Sequence, residues 1–121
     1  MADSWGTAGA ATALDAAAAA YPWIKLHVGS PGAAGTSNPA TETTRKQATW
    51  NATSAGVVSN NGALSWTNVA GSETYTHFTA WSASTNGSFG FSGAVTASAV
   101  TAGNNFSVGS GALTASVTLA S

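Results

Sequence analysis

Pro22-Trp23-Ile24-Lys25-Leu26-His27-Val28 is the stretch on which the fold turns, because the apolar spacing changes here from helical to alternating. Ile24, Leu26 and Val28 fall on one side and Trp23, Lys25 and His27 on the other, the period of a half-buried strand. Upstream, Ser4 to Tyr21 is alanine-rich, with Ala11, Leu14, Ala18 and Tyr21 at helical spacing. Ser4 or Thr7 is placed to cap this helix, and Pro22 ends it. A helix of this length is marginal alone in water, so residues 1–21 are expected to form an arm that docks on its own domain or on a neighbouring subunit.

Downstream, Gly29 to Thr44 reads GSPGAAGTSNPATETT, all turn and breaker chemistry. A connection of about 15 residues is at the upper limit for a compact domain, so a partner is expected to hold it. Then come short runs: Arg45 to Asn51, Ala55 to Ser59, Ala63 to Val69, Glu73 to Ser82, Ser88 to Val100, Asn105 to Val108 and Ala112 to Leu119. Turn clusters separate them, and Asn86-Gly87 is a strong hairpin signal. The last run alternates most cleanly, with Leu113, Ala115, Val117 and Leu119 on one face. The expected fold is all-β, an antiparallel sandwich or small barrel of about seven to eight strands over residues 22–121, preceded by the helical arm.

The chain of 121 residues is 44% hydrophobic but only 6% charged, with net charge -1. About a quarter charged is usual, and the five tryptophans argue for a real core. A surface of Ser, Thr, Asn, Gly and Ala suits a protein that works assembled, because short neutral side chains are ordered cheaply and no charge is desolvated. Zero cysteines exclude thiolate chemistry and disulfides. The alanine run Ala16 to Ala20 follows acidic Asp3 and Asp15 with no basic residue before it and is too short for a membrane span, so neither a targeting segment nor membrane insertion is expected.

Chemistry-bearing groups are sparse. His27 and His77 lie on separate strands with no ligand cluster beside them, and no metal or other cofactor is expected. Glu73 and His77 share a face but stand roughly 13 Å apart along an extended strand, beyond hydrogen-bond reach. Asp3 and Asp15 sit in the arm, and a carboxylate pair from Glu42 and Glu73 needs a long-range meeting that nothing local supports. Catalysis is therefore not expected. Lys25, Arg45 and Lys46 are the only Lys and Arg residues, too few for a stripe along a phosphate backbone, which argues against nucleic acid. The Asn-x-Ser/Thr sequons at Asn51, Asn86 and Asn105 are read as chance matches. Trp50, Trp66 and Trp81 are expected in the core. Trp5 and Trp23 bracket the helix and are expected to anchor it to the sheet or to a neighbour rather than to bind sugars.

The order of segments carries a resemblance. WIKLHVGSPGAAGTSNPATETTRKQATW, then ETYTHFTAWSAST, a glycine hairpin and a Ser/Thr-rich end resemble small proteins of tailed phages, especially those of actinobacteria, described as tail-fibre-like, minor tail or capsid decoration proteins. The most specific pieces are Leu26-His27 with Gly29-Ser30-Pro31-Gly32, Arg45-Lys46 to Trp50, and Thr76-His77 through Trp81. The resemblance implies a virion role. The chain has no heptads, repeats or second domain, which favours capsid decoration over a minor tail or fibre-like role, with glycan adhesion a further alternative. The expected partners are other copies, most naturally a trimer, and the major capsid protein or tail proteins. Trp5, Leu14, Tyr21, Trp23, Pro31 and Pro39 are the expected interface residues.

Overall fold

The computed structural model describes residues 5–116. Among them are helix α1 (Thr7–Ala20) and eight strands: β1 (Trp23–His27), β2 (Lys46–Gln47), β3 (Val57–Ser59), β4 (Leu64–Trp66), β5 (Glu73–Trp81), β6 (Phe89–Val100), β7 (Phe106–Val108) and β8 (Thr114–Ser116). One layer is an antiparallel sheet in the order β2-β1-β5-β6, and two antiparallel ribbons, β3-β8 and β4-β7, make up the rest. The fold is a small all-β sandwich. Its core gathers Ile24 and Leu26 from β1, Tyr75, Phe78 and Ala80 from β5, Trp66 from β4, Phe106 from β7 and Leu113.

The layers approach closely at Gly93 of β6. A Cβ there would stand 2.2 Å from the Thr114 carbonyl oxygen and 2.6 Å from the Phe78 ring. Only a residue without a side chain lets the β8 backbone lie on β6. Gly90 makes the same allowance for the Tyr21 ring, 2.2 Å from its would-be Cβ. It sits at a register irregularity, with Ala80 opposite Phe91 and Trp81 opposite Phe89.

Each of the seven expected runs contains a strand, but the strands are shorter. Arg45 to Asn51 keeps only Lys46–Gln47 on β1, because the chain then changes partners. Ala48 still bonds back to the Pro22 carbonyl, whereas the Asn51 N–H donates to Ser59 and the Asn61 N–H to Thr49. In the last run Leu113 and Ala115 are buried while Thr114 and Ser116 are exposed, as the alternation requires. Val117 and Leu119 lie outside the described residues.

The long connection packs on its own domain. It folds back along β1, with the Val28 N–H donating to Asn38 and the Ala40 N–H to Leu26. Pro31 and Gly35 are buried. Gly35 has φ +73° and lies against Phe89, whose ring would be 2.6 Å from a Cβ.

The helix starts at Gly6 with no side-chain cap, so Thr7 does not cap it, and Ser4 lies outside the described residues. Its buried residues are Ala10, Leu14 and Ala18, one stripe. Leu14 and Ala18 pack on Val58 of β3 and Ala115 of β8, flanked by Trp50 and Phe91. Asp15 adds a tether: its Oδ1 accepts from the Thr53 N–H at 2.8 Å and from the Thr53 hydroxyl at 2.6 Å. Among the described residues no helix is long and apolar enough to cross a membrane.

Candidate functional site

The face of the four-stranded sheet turned away from the core carries most of the distinctive side chains. The register sets Trp23 opposite Trp81, Lys25 opposite Thr79 and His27 opposite His77. Trp81 was expected in the core but stands half-buried on this outer face, beside Phe89 at 5.5 Å between ring centroids. Arg45 covers it, with the guanidinium carbon 4.3 Å from the ring centroid. The same guanidinium donates to the Ala83 and Asn86 carbonyls at 2.9 and 2.7 Å, fastening the β5-β6 turn. One cation thus serves as a cation–π partner and a turn brace.

Beneath the folded-back loop, Thr79 and His27 form a buried relay. Trp81 Nε1–H donates to the Thr79 hydroxyl at 2.7 Å, and His27 Nε2 lies 2.9 Å from that hydroxyl. His27 Nδ1 lies 2.9 Å from the Ser37 carbonyl, which only accepts. Nδ1 therefore carries a proton, and in the neutral imidazole, the form that burial favours, Nε2 accepts from the Thr79 hydroxyl. Burial foremost, with the positive charge of Lys25 adding to it, lowers the His27 pKa against the opposing bond to Ser37. His77 bonds instead to the neighbouring Thr76 hydroxyl, at 2.8 Å.

Glu42 and Glu73 do approach each other, a long-range meeting the local sequence does not announce. Glu73 accepts from the backbone N–H groups of Thr41 and Glu42, at 2.9 and 3.2 Å. Buried Glu42 accepts from Thr44 and Ala70, both at 3.1 Å. All four carboxylate oxygens thus receive a backbone N–H and lock the end of the long connection to the turn before β5. Nearby, the buried Tyr75 hydroxyl has no hydrogen-bond partner among the described residues, and neither has the Trp50 indole N–H. Burial first, then the charges of Glu73 and Glu42, push the Tyr75 pKa up to about 12. Trp66 is fully satisfied in the core, its N–H donating to the Thr44 carbonyl at 2.8 Å.

The six expected interface residues divide. Leu14 is buried under the helix, Pro31 is buried under the loop and Tyr21 is half-buried against Gly90. Trp5 is 47% exposed, Pro39 is exposed and Trp23 is half-buried. Trp23 lies on the sheet face opposite Ile24 and Leu26, away from the helix it was expected to anchor. Val28 and Val57 join Trp5 as the exposed large hydrophobics among the described residues, and sequence reasoning had assigned Val28 to the inner face. Among the described residues, no three His, Cys, Asp or Glu side chains cluster closely enough to hold a metal.

Fold and site together define a small β-sandwich whose few ionic side chains mostly fasten its own loops and helix. Residues 5–116 match the family described as Podophage GP4 fiber I protein gp80, and the chain belongs to that family. It is accordingly a structural protein of the phage virion. No match was found among curated proteins.

Proposed function

We propose that this chain is a fibre-like subunit of the phage tail, which acts without catalysis by packing against copies of itself and larger tail proteins. The observation that carries this reading is the span of the fibre-family match, residues 5–116, which takes in the whole described sandwich with its docked helix. The near-neutral exterior supports it, because a surface poor in charge associates at little desolvation cost. Capsid decoration, which small size and the lack of heptads favoured, yields to the fibre reading on this ground. Trp5, exposed beside the helix, and Val28 and Val57 are the anchors the subunit offers a neighbour.

The test is to separate heads from tails in purified particles and measure this chain against the major capsid protein. Enrichment on tails, at a few copies per particle, is expected. Hundreds of copies on heads sink the fibre reading and restore capsid decoration.

A further inference from the structure

Between the second half of α1 and residues 47–52 lies an open cleft of about 390 Å³. Its apolar lining comes from Ala18, Ala19, Pro22 and the half-buried Trp50. Its polar lining is Asp15, Gln47, Thr49 and Asn51. Thr49 is occupied, donating to Asn61. The others keep free capacity among the described residues. Asp15 uses Oδ1 on Thr53 and leaves Oδ2, Asn51 uses its Nδ2 on Ser59 and Asn60 and leaves Oδ1, and the exposed Gln47 amide is unengaged.

This inventory selects a ligand class. Two free acceptors and one amide call for a ligand that brings several hydroxyl donors. The aromatic and proline surfaces call for one that also has a flat C–H face. Among the described residues no cation lines the cleft, and Thr53 holds the Asp15 carboxyl below the ordinary carboxylate range, so an anionic ligand would be repelled. We propose that the cleft binds a neutral sugar ring, its C–H face against Trp50 and Pro22, its hydroxyls donating to Asp15 and Asn51 and exchanging hydrogen bonds with Gln47. The volume lies in the ordinary range for small-ligand sites. The proposal does not rest on the assembly role, and the two are read by separate experiments.

The test is a titration of the full chain followed by amide NMR, with glucose, galactose, N-acetylglucosamine and rhamnose as neutral probes and glucuronate as the anionic control. At least one neutral sugar is expected to shift the amides of residues 15–19 and 47–52. Gln47→Ala and Asp15→Asn are each expected to weaken that binding about tenfold, the loss of one or two good hydrogen bonds. Gln47 is exposed on a two-residue strand, so its variant keeps the fold and carries the test should Asp15→Asn loosen the helix. The proposal is overturned if none of the four neutral sugars binds, if the shifts fall elsewhere, if glucuronate binds as well as glucose, or if folded Gln47→Ala binds like the parent.

Discussion

Ala55 is a residue in the wrong conformation for its type. It has φ +51°, and with Gly56 at φ +78° it forms the tip of a two-residue hairpin closed by mutual bonds between Ser54 and Val57. Both central positions of such a turn are left-handed, which suits Asn or Gly and strains Ala. Ala55→Asn is expected to raise stability by about 1 kcal/mol in urea unfolding; an unchanged or lower midpoint sinks that account. His27 makes a second prediction. Its folded pKa lies below the ordinary value of 6.5, so the unfolded chain takes up a proton first as pH falls. The stability from neutral His27 is full above about pH 6.5 and is lost as pH falls through the folded value. The thermal midpoint is therefore expected to drop between about pH 7 and about pH 5. That slope should vanish in His27→Gln; a parent midpoint flat across this window contradicts the buried neutral relay. The sequence placed His27 on a strand but gave no sign of the relay, because Thr79 and Ser37 reach it only through strand pairing and the folded-back loop.

At the level of elements, the helix is fastened by a thin apolar stripe and one polar tether. Asp15→Ala removes both Thr53 bonds, and the amides of α1 are expected to exchange faster with solvent while those of β5 stay protected. Equal exchange in parent and variant would show that Leu14 and Ala18 suffice. The seat of β8 on β6 depends on Gly93 lacking a side chain. Gly93→Ala is expected to cost about 2 to 3 kcal/mol, since the nearest obstacle is the Thr114 backbone and not a side chain that can swing away. A loss well under 1 kcal/mol in denaturant unfolding would mean the ribbon can shift. These elements show what was legible. Alternation gave β1 and the buried set of β8, and Pro22 and Asn86-Gly87 gave boundaries, because local sterics set them. The change of partners after Gln47 and the folding back of the Gly29 to Thr44 connection were not legible. Both are fixed by carbonyls and rings far away in sequence, such as the Leu26 carbonyl and Phe89. Trp81 misled for a related reason: its strand is central, but its outer face is covered by one arginine and a loop and not by a second layer.

For the whole molecule, the scarcity of charge makes a prediction about association. The proposed assemblies, with Trp5, Val28, Val57 and neutral polar side chains at their contacts, are expected to change little in size between low and high salt in light scattering, because few exposed charges are there to be screened. Dissociation by added salt would point instead to Lys25, Arg45 and Lys46. The family role follows from no single residue; the order of segments carried the resemblance, while the choice between head and fibre lay beyond composition. The sheet order also prescribes a history. β5 and β6 are joined by a short turn and close locally, whereas β1 must bring His27 to His77, and β3 must wait for Ser116 to meet Val57. Pairings between such distant residues form late and slowly. During synthesis β3 leaves the ribosome well before its partner β8 exists, so this part of the sandwich stays half-closed while the chain grows, and the seal comes with β8.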